Sequence, residues 1–148
     1  MDLWELVARE RIRDTLARYN WSGAALRLDE LAQTFCEGGQ LELRGRGSVR
    51  GRAAIVELLG GAVAAPNATA QASGVKRIVR HNVTNIRFTD VRPDEARVAC
   101  YFTVVTEIGL DHYGRYRDVF VPDGDDWLIR HRLVSTDWSA PDSTMGRR

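Results

Sequence analysis

Hydrophobic and polar positions along the chain follow two periods, one in each half. Near the start, Leu3, Val7, Ile12, Leu16 and Tyr19 recur at helical spacing with arginines and glutamates between them. This predicts an amphipathic helix over residues 2–20, with Asp2 as N-cap and Gly23 past its end. Residues 27–36 predict a second short helix with Leu28, Leu31, Ala32 and Phe35 facing inward, stopped by Gly38 and Gly39. Residues 40–44 alternate as a short strand, and Gly45, Gly47 and Gly51 mark a turn-rich connection. Residues 52–59 predict a third helix, closed by Gly60 and Gly61, and residues 62–74 show no period and read as a loop.

Past that loop the period becomes two. Residues 77–89, 96–108, 113–121 and 126–137 are rich in Val, Ile, Tyr, Phe and Thr, with turn-forming residues between them. They predict a four-stranded antiparallel meander. Helices followed by long strands give an α+β fold, with the helices laid on one face of a curved antiparallel sheet. One domain is expected over residues 1–138, with a loose polar tail over 139–148.

Three strand positions break this pattern. Val79, His81 and Val83 share a face, as do Tyr116, Asp118 and Phe120, and as do Trp127, Ile129, His131 and Leu133. Each apolar row is thus interrupted by one ionisable residue. A single buried histidine is commonly a hydrogen-bonded core residue. Three ionisable groups on the inner faces of nearby strands fit a shared cavity better, because unpaired buried charge is costly. Tyr19 sits at the inner end of the first helix and reads either as core or as a fourth member. His112, near a hairpin tip, reads as solvated. A two-histidine, one-carboxylate metal set would need His81, His131 and Asp118 all within ligand reach; no metal or other cofactor is expected.

Composition narrows the function classes. The 148 residues, 44% of them hydrophobic, are enough to bury one core. With 21 basic and 20 acidic residues the net charge is +1, which argues against nucleic acid as a partner. Apolar runs fall far short of a membrane span. The acidic, amphipathic start is unlike a secretory signal, and Cys36 and Cys100 show no metal or redox spacing. A cytoplasmic protein is expected.

The order and spacing of several short motifs resemble the SnoaL-like branch of the nuclear transport factor 2-like superfamily. They are residues 12–19 (Ile-Arg-Asp-Thr-Leu-Ala-Arg-Tyr), Leu28-Asp29-Glu30-Leu31 with Phe35, Gly51-Arg52-Ala53-Ala54-Ile55-Val56, Arg80-His81-Asn82-Val83-Thr84-Asn85, Gly114-Arg115-Tyr116-Arg117-Asp118, and the last strand from Trp127 through His131 and Arg132 to Trp138. The resemblance implies a cone-shaped α+β barrel around a deep apolar pocket, and a homodimer through the outer sheet face. It also implies a cofactor-independent enzyme doing general acid–base chemistry on a small apolar metabolite of polyketide, terpenoid or steroid type. Dehydration, isomerisation and cyclisation are the reactions it suggests. His81 or His131 would be the base, with Tyr19 and a protonated Asp118 binding a developing oxyanion. Tyr101, Phe35, Leu43, Phe120, Trp127 and Trp21 would line the pocket. Two acidic positions of relatives are apolar in this chain: the ketosteroid isomerase base falls at Leu43, and an aspartate five residues after the helix tyrosine falls at Ala24. The alternative is a non-catalytic binding or subunit-interaction module on the same fold, a dioxygenase small subunit included.

Overall fold

The computed structural model describes residues 1–64 and 77–145. The chain forms helix α1 (Leu3–Ala24), helix α2 (Leu28–Ala32), strands β1 (Phe35–Leu43) and β2 (Gly47–Arg50), helix α3 (Arg52–Ala64), and strands β3 (Arg80–Arg92), β4 (Glu95–Thr106), β5 (Gly109–Asp123) and β6 (Asp126–Ser139). The α+β expectation therefore holds, with boundary changes. The second helix is shorter than expected. Phe35 and Cys36 open β1 instead, and the glycine-rich connection contains β2. From residue 65 onward, the loop expected over 62–74 lies outside the described residues.

The six strands form one curved, unclosed sheet in the order β2-β1-β6-β5-β4-β3. The expected meander is its β3–β6 part. β1 joins β6 in parallel, and every other pair is antiparallel. Helix α1 packs across the inner face against β3 and β6. Its buried stripe is Ala8, Ile12, Thr15, Leu16 and Tyr19, whereas Leu3 and Val7 at its start are exposed. Two contacts fix the helix to the sheet. The Thr15 hydroxyl donates to the Trp127 carbonyl at 2.6 Å, and Arg18 reaches Asp126 at 2.7 Å.

Strand β4 keeps strict alternation. Ala96, Val98, Cys100, Phe102, Val104 and Thr106 are all buried. β5 and β6 do not, because β-bulges interrupt their ladders. An extra residue in one strand bends it and reverses which side chains face inward. Val119 pairs with His131 but Phe120 pairs with Ile129, so Arg130 is the extra residue. Before it Trp127 and Ile129 face the core; after it Arg132 does, fully buried, and His131 turns away. A second bulge lies where Val104 pairs with His112 and Val105 with Leu110, leaving Asp111 extra.

The tail expected to be loose is, over residues 140–145, packed against the sheet. Ala140 and Ser143 are buried, the Ala140 N–H donates to the Asp111 carbonyl at 2.7 Å, and the Ser143 hydroxyl donates to the Asp111 carboxylate at 2.6 Å. No described helix is long and apolar enough to cross a membrane.

Candidate active site

Between α1, α2 and the inner face of the sheet lies a cavity of about 280 Å³. Its lower wall is apolar and includes Ala24, Leu28, Leu31, Leu43 and Val79. Its polar lining comes from His81 on β3, His112 and Tyr116 on β5, Thr136 on β6, Tyr19 and Asn20 on α1, and Arg46 and Arg77. His81 pairs with Val104, and Val104 pairs with His112. The two imidazoles thus stand in one row across three adjacent strands.

His112 is the cavity histidine that sequence reasoning missed. Its Nδ1 lies 2.7 Å from Asp111 Oδ1. Adjacent residues in a regular strand point to opposite faces; the bulge at Asp111 is what lets both side chains meet on one side. Asp111 is 1% exposed and accepts from Ser143 at 2.6 Å and from Thr106 at 3.0 Å as well. Burial alone would raise its pKa, but these hydrogen bonds outweigh it and hold the carboxyl below its ordinary value. An ionised carboxylate only accepts, so Nδ1 of His112 carries the proton. In the neutral ring, Nε2 then carries the lone pair. The missed signal was the alternating row Phe120, Asp118, Tyr116, Gly114, which continues to His112 if β5 is extended backward.

His81 is held differently. Its Nδ1 is buried without a protein partner among the described residues. Burial, then repulsion from His112, pushes its pKa from 6.5 down to about 4, so it is neutral at pH 7. Ala24 lines the cavity and offers His81 no carboxylate.

Asp118 is not placed as a protonated oxyanion donor. Both of its oxygens accept from Arg132, each at 2.8 Å, and neither side chain has any exposure. Burial alone would lower the Arg132 pKa, but the Asp118 carboxylate outweighs it and raises it above the usual guanidinium value. The Arg132 guanidinium carbon lies 4.2 Å from the Tyr19 ring centre and 3.8 Å from that of Tyr116. The pair therefore forms a charged floor under two cavity tyrosines. Burial raises the pKa of both tyrosines and Arg132 only partly offsets it, so both hydroxyls stay protonated at neutral pH. Phe102 stacks on Tyr116 at 4.7 Å, over Gly114. Any Cβ on Gly114 would collide with the Ser135 carbonyl and the Phe102 ring, which explains the glycine.

The other expected site residues separate into three groups. Tyr19, His81 and Leu43 line the cavity. Phe35, Phe120 and Trp127 are core residues that do not reach it. His131, Tyr101 and Trp21 lie elsewhere. His131 Nε2 contacts Glu42 at 3.0 Å on the outer side of β6; Tyr101 is 52% exposed on the outer face of β4; Trp21 is 79% exposed on α1. The reason for His131 is the Arg130 bulge; for Tyr101, the regular alternation of β4. The metal set of His81, His131 and Asp118 consequently does not assemble. Among the described residues no cluster of three or more His, Cys, Asp or Glu side chains is arranged to hold a metal.

Helices laid into a curved sheet around a mostly apolar cavity, with ionisable groups among its lining, define a class of small pocket proteins. The chain belongs to the SnoaL-like family within it, whose domain model matches residues 4–133. Similar solved structures include a protein provisionally named a scytalone dehydratase from Novosphingobium aromaticivorans. It has 21% identity and a TM-score of 0.76, over 100% of this chain and 99% of that one. ActVI-ORFA from Streptomyces coelicolor is 18% identical with a TM-score of 0.70, covering 87% and 97%. A Catenulispora acidiphila protein in complex with S-DNPA is 23% identical with a TM-score of 0.70, covering 87% and 92%. At these identities the likeness establishes the fold. No curated protein matches the chain by sequence.

Proposed function

We propose that the protein is a cofactor-independent enzyme that removes water from, isomerises or cyclises a small, mostly apolar ring ketone by general acid–base chemistry. The observation that carries this reading is the Asp111–His112 pair facing the same cavity as His81 and Tyr19. Asp111 fixes the His112 tautomer, so Nε2 is the base that takes a proton from the carbon beside the substrate carbonyl. Tyr19 donates its O–H to the carbonyl oxygen as negative charge develops there. His112, now protonated, passes the proton to the leaving hydroxyl, and water departs with the C–O bonding pair. His81, neutral, hydrogen-bonds that leaving oxygen. The cavity volume suits a one- or two-ring ligand.

The test uses 3-hydroxy-1-tetralone, whose loss of water gives fluorescent 1-naphthol. The wild-type protein is expected to accelerate this, and His112→Ala to lower kcat by about 100-fold or more. Turnover unchanged in His112→Ala would overturn the mechanism. Ala24 and Leu43, apolar where relatives are acidic, favour a second reading as a non-catalytic binder. Saturable binding of 1-naphthol without turnover of any ring hydroxyketone would favour it.

A homodimer through the outer sheet face belongs to the same reading. Tyr101, Val105, Tyr113 and Trp138 are exposed there, and the last two stack at 5.6 Å. Light scattering at micromolar concentration checks it; a Tyr101→Glu variant should shift the mass toward that of a monomer. The free thiols of Cys36 and Cys100 fit a reducing compartment such as the cytoplasm.

A further inference from the structure

The two cavity histidines stand in one row with Val104 between them, yet their surroundings differ. His112 has a carboxylate at its Nδ1. Asp111 Oδ1 lies 2.7 Å from that nitrogen and is itself held by the Ser143 hydroxyl at 2.6 Å. His81 has no such partner. Its Nδ1 is closed off from solvent and, among the described residues, makes no hydrogen bond. The ring nevertheless lines the cavity, so Nε2 is the nitrogen that can meet a ligand. His81 is neutral at pH 7, because burial, then repulsion from His112, lowers its pKa to about 4. One of its ring nitrogens therefore carries a proton and the other a lone pair.

Two features bear on which nitrogen is protonated. The first is local. A proton on Nδ1 would be a buried N–H without an acceptor, and orphaned buried N–H groups are rarer in folded proteins than under-used acceptors. On Nε2 the same proton is available to a ligand oxygen, and what stays buried is a lone pair. The second feature is His112. Asp111 draws the His112 proton to Nδ1, so its Nε2 brings a lone pair to the cavity. A second lone pair from His81 in the same cavity would be repelled by the first, whereas an N–H would be attracted. In mostly apolar surroundings such interactions are weakly screened.

We infer that the two histidines are held as opposite tautomers, His112 protonated on Nδ1 and His81 on Nε2, so that His81 meets the substrate as a hydrogen-bond donor and never as the base. The two rings then divide the work. His112 Nε2 takes a proton, and the His81 Nε2–H binds an oxygen that has a free lone pair. The ligand must accordingly place an acceptor beside His81 and an acidic C–H or O–H beside His112. A leaving hydroxyl meets the first demand. A protonated amine, which has no lone pair, does not. The role on substrate rests on the dehydration reading above, whereas the tautomers stand on the protein's own contacts.

The test starts with NMR of the full-length protein carrying isotope-labelled histidine at pH 7. Couplings between the ring nitrogens and the carbon-bound ring protons show which nitrogen is protonated, and His131→Gln and His112→Ala assign the signals. His81 is expected to carry its proton on Nε2 and His112 on Nδ1. A His81 proton on Nδ1, or averaged over both nitrogens, overturns the inference, as does one tautomer shared by both rings. Kinetics with 3-hydroxy-1-tetralone then separates donation from proton transfer. His81→Gln keeps an amide donor that cannot take a proton, and His81→Leu removes the donor. The glutamine variant is expected to keep kcat within about ten-fold of wild type, and the leucine variant to lose about 100-fold or more. A glutamine variant as slow as the leucine variant, or two variants as fast as wild type, overturns the donor role. If the wild-type protein shows no turnover, the dehydration reading falls, and the spectra still decide the tautomers.

Discussion

Asp111 Oδ1 and His112 Nδ1, from consecutive residues of one strand, lie 2.7 Å apart on the same side of the sheet. Regular strand geometry forbids that contact, and the bulge at Asp111 creates it. If the pair fixes the base, Asp111→Asn should damage catalysis more than folding. The amide can turn its NH₂ toward the ring, which favours the wrong tautomer. A fall in kcat of about 10²–10⁴-fold with a thermal midpoint within a few degrees of wild type is expected. Steady-state kinetics with circular dichroism melting checks it, and a loss of fold without a specific loss of rate would count against the role.

His81 gives a prediction about acid stability. Its pKa is about 4 when folded, against 6.5 for the ordinary ring. Between those values the unfolded chain binds a proton that the native protein refuses. Stability contributed by the neutral ring is therefore complete above about pH 6.5 and is lost as pH falls toward 4, by about 3 kcal/mol in all. Urea unfolding at pH 7 and pH 4.5 should show the drop, and His81→Gln should reduce it. An NMR titration with its midpoint near 6.5 would contradict the placement.

The Asp118–Arg132 pair should behave as a buried ion pair rather than as a proton donor. Asp118→Ala strands a guanidinium with no exposure and is expected to cost about 3–5 kcal/mol. Replacing both partners, as Asp118→Leu with Arg132→Met, should recover most of that loss, because no unpaired charge remains. Chemical denaturation of the two single variants and the double variant gives the coupling directly. Simple additivity would show that the pair does not act as a unit.

His131 should be dispensable for turnover. Its contact with Glu42 is half-exposed, and exposed ion pairs contribute about 0–1 kcal/mol. His131→Gln is expected to leave kcat/KM within about two-fold and stability within about 1 kcal/mol. A loss of rate comparable to that of His112→Ala would return His131 to the mechanism.

Much of the architecture was legible in the sequence because it depends on short-range pattern. The spacing of Ile12, Leu16 and Tyr19 placed the first helix, and the period of two over residues 96–108 placed β4, although Tyr101, expected in the pocket, lies on its outer face. His81 was legible for the same reason: nothing interrupts its row between Val79 and Val83. The resemblance carried by motifs from Ile12 to Trp138 supplied the family, and the family supplied the pocket. Leu43 and Ala24, at positions where the resemblance implies acids, are apolar in the sequence itself.

What tertiary structure decided is which face each residue of β5 and β6 presents. A bulge adds one residue and reverses the parity of the strand beyond it, and whether a bulge forms depends on the partner strand, which no local pattern records. The Arg130 bulge moved His131 outward and brought Arg132 in to meet Asp118. The Asp111 bulge brought a carboxylate to His112, and the packed residues 140–145 supplied Ser143 to hold it. The last strand's histidine, conspicuous as a lone polar residue in an apolar row, thus lies outside the cavity. The less conspicuous one beside a hairpin lies inside it, because pairing across strands, not alternation along one, fixes where a side chain points.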